Sequence, residues 1–179
     1  FTEGARDGFG SDEVVSQFNS RLWNGLVMAL LFGFAGFIDD MIKIRRKHNT
    51  GLTSKQKLFL QILISIAFLL TLQLSGTANT SVWVPFLGIY DIGFFYYPLM
   101  VFIIVAEVNA VNFTDGVDGL CSSVTFVAAA FFAVISGIYY LFGLGLMSMA
   151  LMGAMAGFLV WNLNPAKVFM GDLGSHFLG

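Results

Sequence analysis

Charge is scarce in this sequence. Only 11% of its 179 residues are Asp, Glu, Lys or Arg, while 57% are hydrophobic. A soluble domain carries about 25% charged residues, so the deficit excludes an ordinary soluble fold. With a mean hydropathy of +0.80, the class it points to is an all-α integral membrane protein, a polytopic bundle of transmembrane helices. Backbone groups in lipid must be satisfied within their own segment, and an apolar helix does that. Cysteine is nearly absent, and Cys121 alone excludes an internal disulfide. Short-period repeats are lacking, and one membrane domain over 1–179 suffices. No leader peptide is visible. The sequence opens on Phe1 and closes on "GSHFLG", at the mouth of another apolar run, so it reads as an internal fragment of a larger polytopic protein.

What is present is a series of membrane-length apolar runs, each near the roughly 20 residues needed to cross a core of about 30 Å. Five complete spans are expected, at 22–38, 57–74, 96–111, 120–140 and 143–161, and His176 to Gly179 would begin a sixth. The first twenty residues read as a polar loop, in which Ser11 could cap a short helix carrying Val14, Val15 and Phe18. Between the second and third spans, "SGTANTSVWVPFLGIYDIGFF" alternates turn formers with β-formers and predicts a short hairpin on the non-cytoplasmic side.

Charge sets the orientation. Lys43, Arg45, Arg46, Lys47, Lys55 and Lys57 lie in one loop, 39–57, and with Lys167 they make seven of the nine basic residues. Five spans bring the loops at 39–57, 112–119 and 162–175 to one face, which the positive-inside rule makes cytoplasmic. Asp39, Asp40, Asp115, Asp118 and Asp172 emerge on that same face, with Glu107 one turn inside it. Carboxylates beside lysines at a membrane boundary suit Mg²⁺ and phosphate, since Mg²⁺ takes one or two carboxylates plus phosphate oxygens and water. Lysines bind the outer oxygens as point charges. Ser175 could cap the next helix and favour an anion there. Each motif has a plainer reading alone: a solvated helix end, an Asx turn, a topogenic basic loop. Glu107 reads as a snorkelling or locally paired acid, His48 as a loop residue, and His176 stays ambiguous. It is the meeting of distant acidic motifs on one face that weighs against the plain readings.

Three blocks, "GFIDDMIKIRRKHNTGLTSKQK", "NAVNFTDGVDGL" and "NPAKVFMGDLGS", resemble the polyprenyl-phosphate N-acetylhexosamine-1-phosphate transferases. Lys43 after "DDMI" and Thr114 in "NFTDG" are more similar to the phospho-N-acetylmuramoyl-pentapeptide transferase (MraY) branch. The resemblance covers nearly everything from Leu22 onward. It implies Mg²⁺-dependent transfer of phospho-MurNAc-pentapeptide from UDP-MurNAc-pentapeptide to undecaprenyl phosphate, giving lipid I and UMP in peptidoglycan synthesis. The site would lie at the cytoplasmic face of the bacterial inner membrane. It further implies a homodimer, a membrane-lipid setting, sensitivity to nucleoside inhibitors of the tunicamycin type, and no nucleic-acid partner. Asp172 resembles the metal-binding aspartate, and Asp39 and Asp40 the neighbouring catalytic pair. Asn112, Asp115, Gly116, Val117 and Asp118 match a nucleoside-binding segment, with Asp118 on the uracil edge. Phe169 matches the aromatic that stacks on uracil, Asn162 lies in the same pocket, and Lys43 and Lys55 would face the diphosphate.

Departures from the pattern are local. Val117 and Phe113 stand where leucine is commoner, and Glu107 replaces a small residue. The family's N-terminal spans, with a lysine of the uridine pocket, would precede Phe1, and its histidine-rich loop would follow Gly179. The fragment alone is therefore expected to be inactive. A phosphate monoester is mostly dianionic at pH 7, with a second pKa near 6, which favours its direct attack on the donor over a covalent aspartyl intermediate. The nearest rival is the N-acetylglucosamine-1-phosphate branch, which tends to carry another acid where Lys43 stands. An intramembrane prenyltransferase would need longer-spaced Asp motifs. A channel or transporter, of a different class, would need polar residues deep in the spans, where few are visible.

Overall fold

The computed structural model describes residues 12–46 and 51–179, without the side chains of 12–19. Six helices and one hairpin follow in order: α1 Asp12–Arg46, α2 Ser54–Leu74, β1 Ser81–Val84, β2 Gly88–Asp91, α3 Tyr96–Thr114, α4 Leu120–Ile138, α5 Phe142–Asn162 and α6 Gly171–Leu178. Five of them are long and apolar enough to cross a membrane, so this is a polytopic helical membrane protein. Successive spans alternate in direction. The segments before α2, between α3 and α4 and between α5 and α6 therefore share one membrane boundary, here termed the basic face.

Several boundaries differ from the sequence expectation. From Asp12 onward the supposed N-terminal loop is helix, continuous with the first span as far as Arg46. Ser11 and His48 lie outside the described residues. At 1.5 Å per residue, 35 helical residues reach roughly 50 Å, well beyond a hydrocarbon core of about 30 Å. The apolar run ends at Ile38, but nothing in "DDMIKIRR" breaks a helix, and its final basic residues complement the C-terminal dipole. Asp39, Asp40 and Lys43 thus ride on a rigid helix and not on a loop. At the other end of the 47–53 connection, Thr53 and Gln56 close a capping box that starts α2. The hairpin is found as expected, with Ser81 opposite Asp91 and Val84 opposite Gly88.

Two packing systems hold the helices. α4 and α5 form an antiparallel pair that meets through small residues: a Cβ on Gly145 would crowd Ser136 Oγ, the close approach that lipid-embedded helices favour. The second system joins α1, α2, α3 and α6 around Phe32, Ile104 and Val108, with Met28, Ile64 and Phe68 against them. It also contains polar pairs that an apolar reading passes over. Asn109 Nδ2 on α3 donates to Gln61 Oε1 on α2 at 2.8 Å, and Ser65 Oγ donates to the Gln61 carbonyl.

α1 and α6 approach closely at Gly36. A Cβ there would collide with the Asp172 carbonyl, whereas one on Gly25 would meet nothing within 4 Å. Gly36→Ala in the full-length protein is therefore expected to cost about 1–3 kcal/mol through overpacking. Gly25→Ala should be neutral or stabilising by up to about 1 kcal/mol. Unfolding midpoints in detergent check this pair, and equal effects at both positions would refute the close-packing account.

Candidate active site

At the end of α1, Asp39 and Asp40 lie four and three residues before Lys43, on one helical face and in the favourable acid-then-base order. Lys43 Nζ stands 2.7 Å from Asp39, 3.3 Å from Asp40 and 2.6 Å from Asp172, which α6 brings from 129 residues away. Lys57, one turn into α2, reaches Asp172 at 3.1 Å and Asp39 at 3.9 Å. Two backbone donors complete the frame. Leu52 N–H donates to Asp39, and Leu173 N–H donates to Asp40 at 3.2 Å. The group opens on a pocket of about 620 Å³, lined also by Gly51, Thr53 and Ser54.

Carboxylate oxygens of Asp39, Asp40 and Asp172 all lie within 4.8 Å of one another. Three carboxylates against two ammonium groups leave one negative charge uncompensated. The position between the acids is already one that a cation fills, in the form of Lys43 Nζ. An all-oxygen, carboxylate-rich set suits a hard divalent ion such as Mg²⁺, so the donor chemistry fits one.

The neighbouring groups are tuned by this field. Burial works to raise the Asp172 carboxyl, but hydrogen bonds from Lys43 and Lys57, with the Lys57 charge, outweigh it and hold the group well below the usual carboxylate range. Asp115, just past the end of α3, is pushed up to about 6 by burial and by the charges of Asp172 and Asp40, against a hydrogen bond from Gly171 N–H. His176 lies in the α6 turn after Asp172, where Nδ1 donates to the Asp172 carbonyl at 2.7 Å. Burial lowers its pKa, as does Lys57, so the ring is neutral at pH 7, and among the described residues Nε2 is buried without a hydrogen-bond partner.

Not every expected residue joins this cluster. Asp118 fastens the α5–α6 connection, accepting from Asn164 Nδ2 at 3.0 Å and Ala166 N–H at 3.1 Å. Asn162 is 1% exposed. Its amide accepts from Ser122 Oγ and donates to the Val168 carbonyl, bracing the same connection from within. Phe169, on that connection, is 49% exposed. Asn112 Oδ1 accepts from Ser175 Oγ at 2.8 Å. Ser175 therefore sits inside α6, which begins at Gly171, and does not cap it as expected. Gly116 and Val117 occupy the turn between α3 and α4 with exposed surfaces. Glu107 is exposed on α3 about two turns from its end, deeper than expected, and makes no salt bridge among the described residues.

The two lysines expected at the diphosphate are placed differently. Lys43 is central, but Lys55 is exposed and lines no part of the pocket, while Lys57 does. The missed signal was in the sequence: Lys57, Gln61 and Ser65 fall at i, i+4 and i+8, a polar stripe on the inward face of α2. Gly36 and Leu52 carried no comparable signal.

Comparison with known proteins shows the family. Residues 22–179 match the model of glycosyl transferase family 4. The chain belongs to that family. It is 45% identical to the phospho-N-acetylmuramoyl-pentapeptide-transferase of Oceanobacillus iheyensis over 169 residues, which cover 90% of this chain and 50% of that protein. Proteins of the same name from Halalkalibacterium halodurans and Bacillus mycoides are 46% and 44% identical over 155 residues, or 86% of this chain and 47% and 48% of theirs. The chain spans about half the length of the curated relatives it matches.

In this glycosyl transferase family 4 chain, Asp115 offers a direct test of the shared field. Its proton is held in the folded state from the ordinary carboxylate range near 4 up to about 6. The stability linked to it is thus present below about pH 4 and lost as pH rises through about 6. In metal-free full-length protein, carboxyl NMR should show Asp115 titrating near 6. Asp172→Asn should move that midpoint downward by removing a like charge. An unmoved midpoint would separate Asp115 from the cluster.

Proposed function

We propose that the full-length protein transfers phospho-MurNAc-pentapeptide from UDP-MurNAc-pentapeptide to undecaprenyl phosphate, yielding lipid I and UMP. The reaction is placed at the cytoplasmic face of the bacterial inner membrane. The observation that supports this best is the meeting of Asp39, Asp40 and Asp172 with Lys43 and Lys57 at the basic ends of the spans. The relatives' name supplies the transferred group. The membrane boundary explains the position, because one reactant is tethered by a lipid tail and the other arrives from water.

Asp39, Asp40 and Asp172 are the residues that would hold Mg²⁺. When bound, the ion neutralises charge on the donor diphosphate and on the oxygens of the transferred phosphoryl group. The chain's own work is electrostatic and positional. Lys43 and Lys57 are long, rotatable point charges that can pass from the carboxylates to phosphate oxygens. They reduce the repulsion between the dianionic acceptor and the anionic donor. An acceptor phosphate oxygen then forms a bond to the β-phosphorus as the bond from that phosphorus to the bridging oxygen breaks, and UMP leaves. No general base is required, since the acceptor is mostly deprotonated at pH 7. The α5–α6 connection, held by Asp118 and Asn162, presents Phe169 as a stacking surface for the uracil ring.

Activity of full-length variants tests both the assignment and the choice of lysine. Lys43→Met and Lys57→Met should each lower kcat by about 10²–10³-fold, the range for losing one charge aimed at a transition state. Lys55→Met should stay within about threefold, as for loss of an exposed charge. Equal damage at Lys55 and Lys57 would overturn the geometry. A phospho-sugar trapped on Asp39, Asp40 or Asp172 with nucleotide donor alone would overturn direct attack. Turnover with UDP-N-acetylglucosamine in place of the muramoyl donor would move the protein to the sister branch.

A further inference from the structure

The opposite membrane boundary carries a second pocket, lined by both apolar and polar groups, which the proposed transfer reaction does not use. It measures about 160 Å³, against about 30 Å³ for one water molecule, and is lined by Arg21, Leu69, Thr77, Asn79, Tyr96 and Tyr97. We propose that it seats the phosphate of an anionic phospholipid in the leaflet opposite the active site.

The hydrogen-bond inventory selects for an anion. Arg21 spends one N–H on the Thr77 carbonyl at 2.7 Å, and a guanidinium has five. Asn79 Oδ1 accepts from Ser81 N–H, and its amide Nδ2 adds donors to the pocket. Tyr97 donates to Gln73 Oε1 at 2.6 Å. Among the described residues Arg21 forms no salt bridge, and Asp91, the described carboxylate on this side, accepts instead from Thr80 and from Gly93 N–H. The groups left to a ligand are therefore mainly donors around one fixed charge, a geometry that guanidinium and phosphate share.

The surroundings select a lipid over a soluble anion. Arg21 is the second residue of the first span, Leu74 the last of the second, and Gly93 the first of the third. Leu74, Phe94 and Phe95, at the same ends of the second and third spans, are 87%, 79% and 76% exposed, an apolar surface along which acyl chains would run. Paired tyrosines at such a depth belong to the interfacial belt of membrane helices. A guanidinium that merely pinned the 75–80 turn would show no preference among lipids.

Full-length protein, stripped of lipid in neutral detergent, should be titrated with short-chain phosphatidylglycerol, short-chain phosphatidylcholine or inorganic phosphate, and bound lipids counted by native mass spectrometry. Wild type should retain one more phosphatidylglycerol than Arg21→Gln and bind it about tenfold more tightly, the worth of one charged hydrogen bond. Asn79→Asp keeps the acceptor for Ser81 N–H but sets a negative charge in the pocket. It should lose the same lipid without losing thermal stability, so it decides the matter if Arg21→Gln folds poorly. Unchanged phosphatidylglycerol counts in both variants, equal retention of phosphatidylcholine, or equal protection by inorganic phosphate would each overturn the proposal.

Discussion

Three carboxylates held within a few ångströms at the end of a membrane bundle repel one another strongly, and the site depends on how that repulsion is met. Buried charge is tolerated only when paired and hydrogen-bonded. Here Lys43 bridges all three acids and Lys57 two of them, while backbone N–H groups of Leu52 and Leu173 take further oxygens. The arrangement remains one positive charge short of neutral. Such a cluster is poised for exchange: a phosphate can draw the ammonium groups away only if another cation takes over the carboxylates. In the proposed reaction, Mg²⁺ bound together with a phosphate would satisfy both demands.

Backbone proximity makes this cluster possible. Asp172 reaches the α1 acids because α6 lies almost in contact with α1, and Gly36 is the residue that permits it. Gly171 and Gly51 serve the same end. Gly171 has φ +68, in the left-handed region glycine favours, and a side chain there would press on Asp40, while one at Gly51 would strike Asp39. Glycines in the acidic motifs therefore act first by letting protein atoms approach the carboxylates. Access for a ligand is a further consequence of the same absence of side chains.

The parts of the fold legible in the sequence are those governed by composition. Apolar length announces five spans, and charge asymmetry orders their ends, because both are sums over many residues. The hairpin was legible from β-branched and aromatic residues between turn formers. What resisted was any boundary set by local conformation. The α1 helix outruns its apolar stretch because polar residues are good helix formers outside lipid, so hydropathy could not mark its end. Lys55 and Lys57 look interchangeable in a basic loop, but two residues on a helix face nearly opposite ways, and the difference appears only once Thr53 is known to start α2. Ser175 resembled a cap for the same reason, α6 having begun four residues earlier.

Asp115 and Asp118 show how far one motif can divide its labour. Both belong to "NFTDGVDG", only three residues apart, yet α3 ends between Thr114 and Asp115 and the chain turns sharply before α4. That turn sends one carboxyl toward the other acids, where burial and like charge lift it to about 6. The other meets N–H donors of the α5–α6 connection. Had the helix run on through both, the two would share a face, and the loop bearing Phe169 would lose its fastening. Gly119, with φ +71 and packed so that a Cβ would crowd Leu163, makes the reversal possible. The motif is thus better understood as a hinge between two jobs than as a pair of equivalent ligands: one acid completes the charged cluster, and the other holds in place the surface on which a flat ring could rest.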